Sequence, residues 1–376
     1  MGAVDGVARA RRGRIGRRPT DAEPEADPPP RARPVPTPPA RAFATIARVS
    51  TTAPAREVPG YEHVPGNHCG STALRNLLRH HGVAISEELA FGLGAGPCFY
   101  YVALDERSPS RFTNGRTARL EEQFLRLTGA PLRLRTAEDP AESWRLARET
   151  VDEGRPMILI TDLYHLDHYG KSAHFPGHAV VLTGYDAEAA YVSDTGFEQI
   201  QRTSLEGLAR ARHEQSPFYP LAGHMIDLPP GESVDLESLR AAAPAAIEAA
   251  ARRMLEPELG EFEGLPALRR FAAEVGAWPE AVSDWQWCAR FNYQVIERRG
   301  TGGGNFRAMY SRFLAEVDNA ASPLAAAASE RWTELAGELF AASEHEQPDP
   351  PRWQAIGAAA EAVLEVEERL WEVLAG

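Results

Sequence analysis

Apolar and polar positions divide the chain into three stretches. Residues 1–55 carry no sustained apolar period. Their centre reads PEADPPPRARPVPTPPAR, which offers too little buriable surface to offset the entropy of ordering. The expectation is a disordered Pro/Arg-rich tail. In the stretch 56–228 the period changes from helical to strand-like. Residues 71–81 predict a helix with Ala73, Leu74, Leu77 and Leu78 on one face, stopped by Gly82. Residues 119–127 and 142–151 predict two more amphipathic helices, and 204–212 another. Three runs predict strands: 156–162 (PMILITD), 178–185 (HAVVLTGY) and 190–194 (AYVSD). The short link between the last two predicts an antiparallel hairpin.

Pro229, Pro230 and Gly231 mark a boundary. Beyond it, Ala, Glu, Leu and Arg recur with helical period over 236–254, 264–275, 305–316, 323–343 and 351–374. The fold class read from the pattern is α+β: a mixed domain with an antiparallel sheet over 56–228, then an all-α domain over 232–376. The glycine-rich stretch Thr301-Gly302-Gly303-Gly304-Asn305 lacks the lysine and spacing of a phosphate-binding loop. It reads as a turn with Asn305 as the N-cap of the next helix.

Composition narrows the function. The 376 residues are 43% hydrophobic and 25% charged, an ordinary balance for a chain of about two domains. No apolar run reaches the ~18 residues of a membrane span, so no membrane partner is expected. The arginine-rich start has no apolar core and is not a secretory signal. A net charge of -13 argues against nucleic acid as the main partner. The cysteines, Cys69, Cys98 and Cys288, are too few and too far apart for a disulfide framework, so a reducing cytoplasm is the expected compartment. Lys171 is the only lysine. Either codon drift replaced the others with arginine, or an ammonium is needed there, since the two cations are not interchangeable.

Candidate chemistry begins at Asn67-His68-Cys69-Gly70-Ser71, which runs directly into a predicted helix. Unpaired N–H groups at a helix start favour a thiolate and can hold an oxyanion. Gly70 leaves space beside the sulfur. Packing alone also accounts for a buried cysteine. His178 opens the strand HAVVLTGY, and Asp194 ends the next one. If the two strands form a hairpin, Asp194 can hold one ring nitrogen of His178 while the other faces the thiol. Cys69, His178 and Asp194 are therefore the catalytic candidates. Each taken singly also reads as a structural residue.

These residues carry a resemblance. The helix-opening cysteine, the run from Gly177 to Asp186 and Val192-Ser193-Asp194 resemble papain-like folds, C39-type peptidases especially. Phe91-Gly92-Leu93-Gly94, Gly115-Arg116 and the string from Lys171 to His178 resemble, more closely, the N-terminal domain of the butirosin biosynthesis protein H family. Gly303-Gly304-Asn305-Phe306-Arg307 resembles the domain of unknown function that commonly follows it. The resemblance spans residues ~57 to the C-terminus. It implies a papain-like catalytic domain that moves an acyl or aminoacyl group from an acyl carrier protein, or another thioester donor, to an amine. It implies no cofactor, since thioester exchange needs no ATP. Papain-like enzymes usually place a glutamine six residues before the nucleophile as oxyanion donor. Here that position is His63, and Asn67 is the other candidate donor.

The remaining candidates each have a plainer reading. Arg116 could bind a phosphate or carboxylate, or simply lie on the surface before a helix. Lys171 could contact a phosphopantetheine arm or a carboxylate, or be a solvated loop lysine. His165, His168, His174 and His178 crowd one stretch. Pro176 and Gly177 keep His174 and His178 off one helix face, and no neighbouring carboxylate completes a ligand set, so no metal is expected. His174 is read instead as lining a cleft. Cys98 and Cys288 read as packing residues. Three function classes follow: an acyltransferase, a cysteine peptidase or amidase using the same triad with water, or a non-catalytic binding module. A homo-oligomer is left open.

Overall fold

The run at 178–185 lies in the middle of a seven-stranded sheet. The computed structural model describes residues 55–171, 173–216 and 219–376, so the expected disordered tail lies, but for Ala55, outside the described residues. In chain order the elements are β1 (Arg56–Glu57), α1 (Cys69–His80), α2 (Glu87–Leu93), β2 (Pro97–Ala103), β3 (Arg111–Arg116), α3 (Leu120–Thr128), β4 (Arg133–Arg135) and α4 (Pro140–Asp152). Next are β5 (Met157–Asp162), β6 (Pro176–Tyr185), β7 (Ala189–Ser193), β8 (Gln201–Ser204), α5 (Leu205–Ala211) and β9 (Met225–Asp227). The rest is helical: α6 (Leu236–Ala241), α7 (Ala243–Leu255), α8 (Gly264–Val275), α9 (Trp278–Ala281), α10 (Trp285–Tyr293), α11 (Arg307–Glu316), α12 (Ser322–Ser343) and α13 (Pro350–Ala375).

The large sheet runs β4-β9-β5-β6-β7-β8, with β1 also on β6, and its pairings are antiparallel. Both faces of β5 and β6 are covered, which is why these strands read as unbroken apolar runs. Ile158, Ile160, Ala179 and Val181 pack on the face that carries α1. Met157, Leu159, Val180 and Leu182 pack on the opposite face, against Trp144 and Ala147 of α4 and Leu208 of α5. The predicted hairpin is β6–β7, closed by Asp186 N–H to the Ala189 carbonyl at 2.8 Å.

The region beyond Pro229 is helical, as its periodicity predicts. Its core is continuous with that on the α1 face of the sheet: Leu268, Phe271, Phe313 and Trp332 share one cluster with Leu74, Phe91 and Phe99. A Cβ on Gly92 would lie 2.1 Å from the Phe313 ring, so α2 meets α11 at a contact only glycine permits. Arg307 and Glu367 form a fully buried ion pair here, with Arg307 Nε at 2.8 Å and Nη2 at 3.0 Å. The same guanidinium donates to the Cys98 and Gly115 carbonyls, both at 3.0 Å.

Two local expectations are corrected. The helix predicted over 236–254 breaks at Ala242, because Pro244 has no N–H to give the Arg240 carbonyl. Asn305 is not an N-cap: it is buried at φ 54° against Gly115, and Phe306, at φ 69°, occupies the cap position of α11.

Candidate active site

Cys69 is the first residue of α1, and His68 is the N-cap, accepting the Ser71 N–H on Nδ1 at 3.3 Å. The loop before it is anchored by the buried Glu87 carboxylate, which accepts the N–H of Asn67 (2.9 Å) and of His68 (2.7 Å). Thr72 N–H bonds the His68 carbonyl at 2.9 Å. Among the described residues these bonds take up the N–H groups around the helix start but not those of Cys69 and Gly70. Behind the loop, the rings of Phe91 and Phe306 stack 5.5 Å apart, and both meet His68 edge-on. Phe306 adjoins Arg307, so the helical region props the nucleophile loop from below. Burial and nearby positive charge hold the His68 imidazole neutral, far below its ordinary pKa.

His178 stands near the start of β6, with its carbonyl bonded by Thr161 Oγ1 at 2.9 Å. Its Nε2 lies 3.0 Å from Asp194 Oδ1, which leaves Nδ1 as the ring nitrogen for the thiol. Burial disfavours the imidazolium, but the Asp194 charge and hydrogen bond, with the bond to Cys69, outweigh it and push His178 up to about 10. Burial likewise opposes ionisation of Cys69. The hydrogen bond and charge of His178, helped by Arg116, prevail and draw the thiol below its usual range. Asp194, one residue past β7, is buried; His178 and the hydrogen bond from His168 keep it ionised, well below the normal carboxylate range. Carboxylate and imidazole are joined by a hydrogen bond, and the thiol lies near enough at the helix tip for the imidazole to govern its charge, an arrangement that can ionise a thiol and return a proton to a leaving group.

The supporting candidates separate. His63 has both nitrogens occupied: Nε2 donates to the Phe197 carbonyl at 2.8 Å, and Nδ1 is 2.7 Å from Ser193 Oγ. The carbonyl needs the ring proton, so no N–H is left for an oxyanion, and the expectation for His63 is corrected. Asn67 turns its amide to Glu87 at 3.3 Å. At Gly70 a Cβ would lie 2.1 Å from Glu121 Oε1, so the missing side chain admits Glu121 beside the nucleophile. Arg116, at the end of β3, is half-buried and acts on the charge of Cys69; its guanidinium is 5.8 Å from the Phe175 ring. Lys171 is exposed in a left-handed turn at φ 59°. His174 is bonded to Asp162 through Nδ1 at 2.7 Å rather than to the triad. Cys98 and Cys288 are buried; burial, reinforced by Glu263, pushes the Cys98 thiol up to about 12.

Three site residues escaped the sequence reading. His168 Nε2 donates to Asp194 Oδ2 at 2.9 Å, and the Tyr169 hydroxyl to Oδ1 at 3.2 Å. Both arrive on a loop between β5 and β6, and Phe197 packs on their rings at 5.0 and 5.3 Å. Glu121, in the first turn of α3, is 8% exposed, and burial raises its pKa toward the neutral acid. One available signal was its place beside the apolar positions Leu120 and Phe124, where a glutamate is out of pattern.

Two family models match along the chain. Residues 68–195 match the family model described as butirosin biosynthesis protein H, N-terminal, and residues 206–374 match a domain of unknown function, DUF4872. A solved structure from Bacillus anthracis, described as a C39-like peptidase, aligns at 15% identity and a TM-score of 0.34, covering 48% of this chain and 100% of that one. No curated protein matches the sequence.

Proposed function

Because the chain belongs to the family of the butirosin biosynthesis protein H N-terminal domain, followed by its DUF4872 partner region, we propose that it is an acyltransferase. It takes an acyl or aminoacyl group from a carrier-protein thioester onto Cys69 and passes it to an amine. The observation that supports this most is the Asp194–His178–Cys69 chain at a helix start whose first N–H groups remain open.

The reaction divides into two halves. In the first, His178 holds the thiol proton, and the Cys69 thiolate attacks the thioester carbonyl. The tetrahedral oxyanion sits at the start of α1, facing the Cys69 N–H. On collapse the carbon–sulfur bond to the carrier breaks, and the departing thiolate takes the proton from His178. In the second half an amine attacks acyl-Cys69 and loses a proton to His178. Collapse releases the amide and restores the thiolate–imidazolium pair. Glu121 lies against Gly70 beside the nucleophile and takes the place of the missing glutamine: burial raises its pKa, and its protonated form donates an O–H to the oxyanion.

A peptidase or amidase uses the same first half with water in the second. The discriminating experiment supplies an aminoacyl thioester on a phosphopantetheinylated carrier protein, with hydroxylamine as test amine. Acyltransfer predicts hydroxamate formation that rises with amine while free acid stays minor. Free acid formed at the same rate with or without amine overturns the transferase reading in favour of hydrolysis. In Cys69→Ala both products fall to the rate measured without enzyme if either reading holds.

A further inference from the structure

We infer that His165, His174 and Glu214 form a binding site for a divalent transition-metal ion of the zinc type, separate from the catalytic triad. Sequence spacing hid it, because the histidine that pairs with His174 is His165 rather than His178. The carboxylate comes from a distant segment after α5.

One ligand atom from each of the three lies within 4.8 Å of the others. His165 Nε2 is already 2.8 Å from Glu214 Oε2. For metal–ligand bonds of ~2.0–2.1 Å in a tetrahedron, ligand atoms stand roughly 3.3 Å apart. The His165–Glu214 separation is slightly under that value, and the remaining separations are no more than 4.8 Å. Two histidines and a glutamate are a donor set zinc accepts, with the fourth position left to water.

The surroundings are those of a prepared ligand. His174 Nδ1 is bonded to Asp162 Oδ2 at 2.7 Å, and among the described residues Nε2 has no hydrogen-bond partner. Asp162 is itself fully buried and fixed by the N–H groups of Tyr164 (3.0 Å) and Phe175 (2.8 Å). A carboxylate on the far nitrogen of a histidine sets its tautomer and strengthens it as a ligand. Tyr164 stacks on the His174 ring at 4.0 Å and sets its plane. The His174 side chain is 55% exposed, so an ion can enter from solvent. Binding replaces the direct contact between His165 and Glu214.

The ion would join the ends of the 165–174 segment to the loop after α5. That segment includes His168 and Tyr169, the residues that hydrogen-bond Asp194. Metal occupancy therefore fixes the loop that holds the triad carboxylate.

The test uses the tag-free full chain in a Cys69→Ala background, which removes the catalytic thiol as a competing ligand. Calorimetric titration with Zn²⁺ should show one saturable equivalent, and Co²⁺ should give the visible absorption of a low-coordinate site. His174→Ala, at an exposed position, and Glu214→Gln should each weaken binding at least ~10-fold, and Asp162→Asn by ~10–100-fold. His345→Ala, at an exposed position between α12 and α13, should change nothing. Added zinc should slow amide hydrogen exchange over 163–170. Absence of saturable binding, or an affinity that His174→Ala and Glu214→Gln leave unchanged, overturns the proposal. Neither outcome bears on acyltransfer by Cys69.

Discussion

Replacing Asp194 by Asn tests the electrostatics of the triad with almost no change of shape. The carboxylate lies 3.0 Å from His178 Nε2 and is the main favourable influence on that imidazolium. Raising His178 from 6.5 to about 10 corresponds to roughly 5 kcal/mol in favour of the charged ring, at about 1.4 kcal/mol per pH unit. An amide keeps a hydrogen bond but not the charge, so most of that preference is lost and burial leaves the ring neutral at pH 7. Cys69 then loses the cation that draws its thiol down, and its pKa rises. The thiolate is the deprotonated form, so its population falls as pH drops through the thiol pKa. A higher pKa moves that fall to higher pH. Iodoacetamide alkylation, followed against pH and localised to Cys69 by peptide mass, reads this directly. The acid limb in Asp194→Asn should move up by at least about one pH unit, with a ~10-fold or greater slowing near pH 6.5. Circular dichroism checks that the variant remains folded. Superimposable profiles for wild type and variant would refute the claim that Asp194 sets the charge of the pair.

Other consequences are equally measurable. Glu121→Leu should lower turnover by ~10²–10³-fold through loss of an oxyanion donor, yet leave iodoacetamide alkylation, which forms no oxyanion, no slower than wild type; Glu121→Gln should retain most turnover. Equal turnover in the leucine variant removes Glu121 from the mechanism. Glu367 is fully buried and accepts Arg307 at 2.8 and 3.0 Å and the Trp332 and Trp371 indoles, both at 2.6 Å. Glu367→Gln leaves the Arg307 charge unpaired and should cost about 3–5 kcal/mol in urea unfolding; a loss under about 1 kcal/mol contradicts the role of this pair in joining the helical region to β2 and β3.

Where one period persisted, the fold was legible. The segment 264–275 coincides with α8, and 323–343 and 351–374 lie within a residue of α12 and α13, because each presents a continuous apolar stripe to the shared core. The β6–β7 hairpin could be read from two apolar runs and a short link. Elements without a usable period were missed. The three-residue strands β4 and β9 are too short to show one. Helix α2 is almost wholly buried and so has no polar face to mark its rhythm. At the site, the thiol, imidazole and carboxylate could be placed because a helix start and a hairpin bring them together. The groups that support them are brought in by long-range packing. His168 and Tyr169 reach Asp194 from a loop 26 and 25 residues away in sequence. Glu121 can lie against the start of α1 only because Gly70 has no side chain. His63 fails as a donor for a reason no spacing reveals, since Phe197 and Ser193 already occupy both its nitrogens.

The account rests on Cys69 accepting an acyl group, and intact mass spectrometry after mixing with an aminoacyl carrier-protein thioester measures that step directly. One acyl unit should appear on the wild-type chain, map to the Cys69 peptide, release with hydroxylamine, be absent in Cys69→Ala and form more slowly in Asp194→Asn. An unmodified wild-type chain under conditions where iodoacetamide still labels Cys69, or an equal adduct in Cys69→Ala, would contradict it.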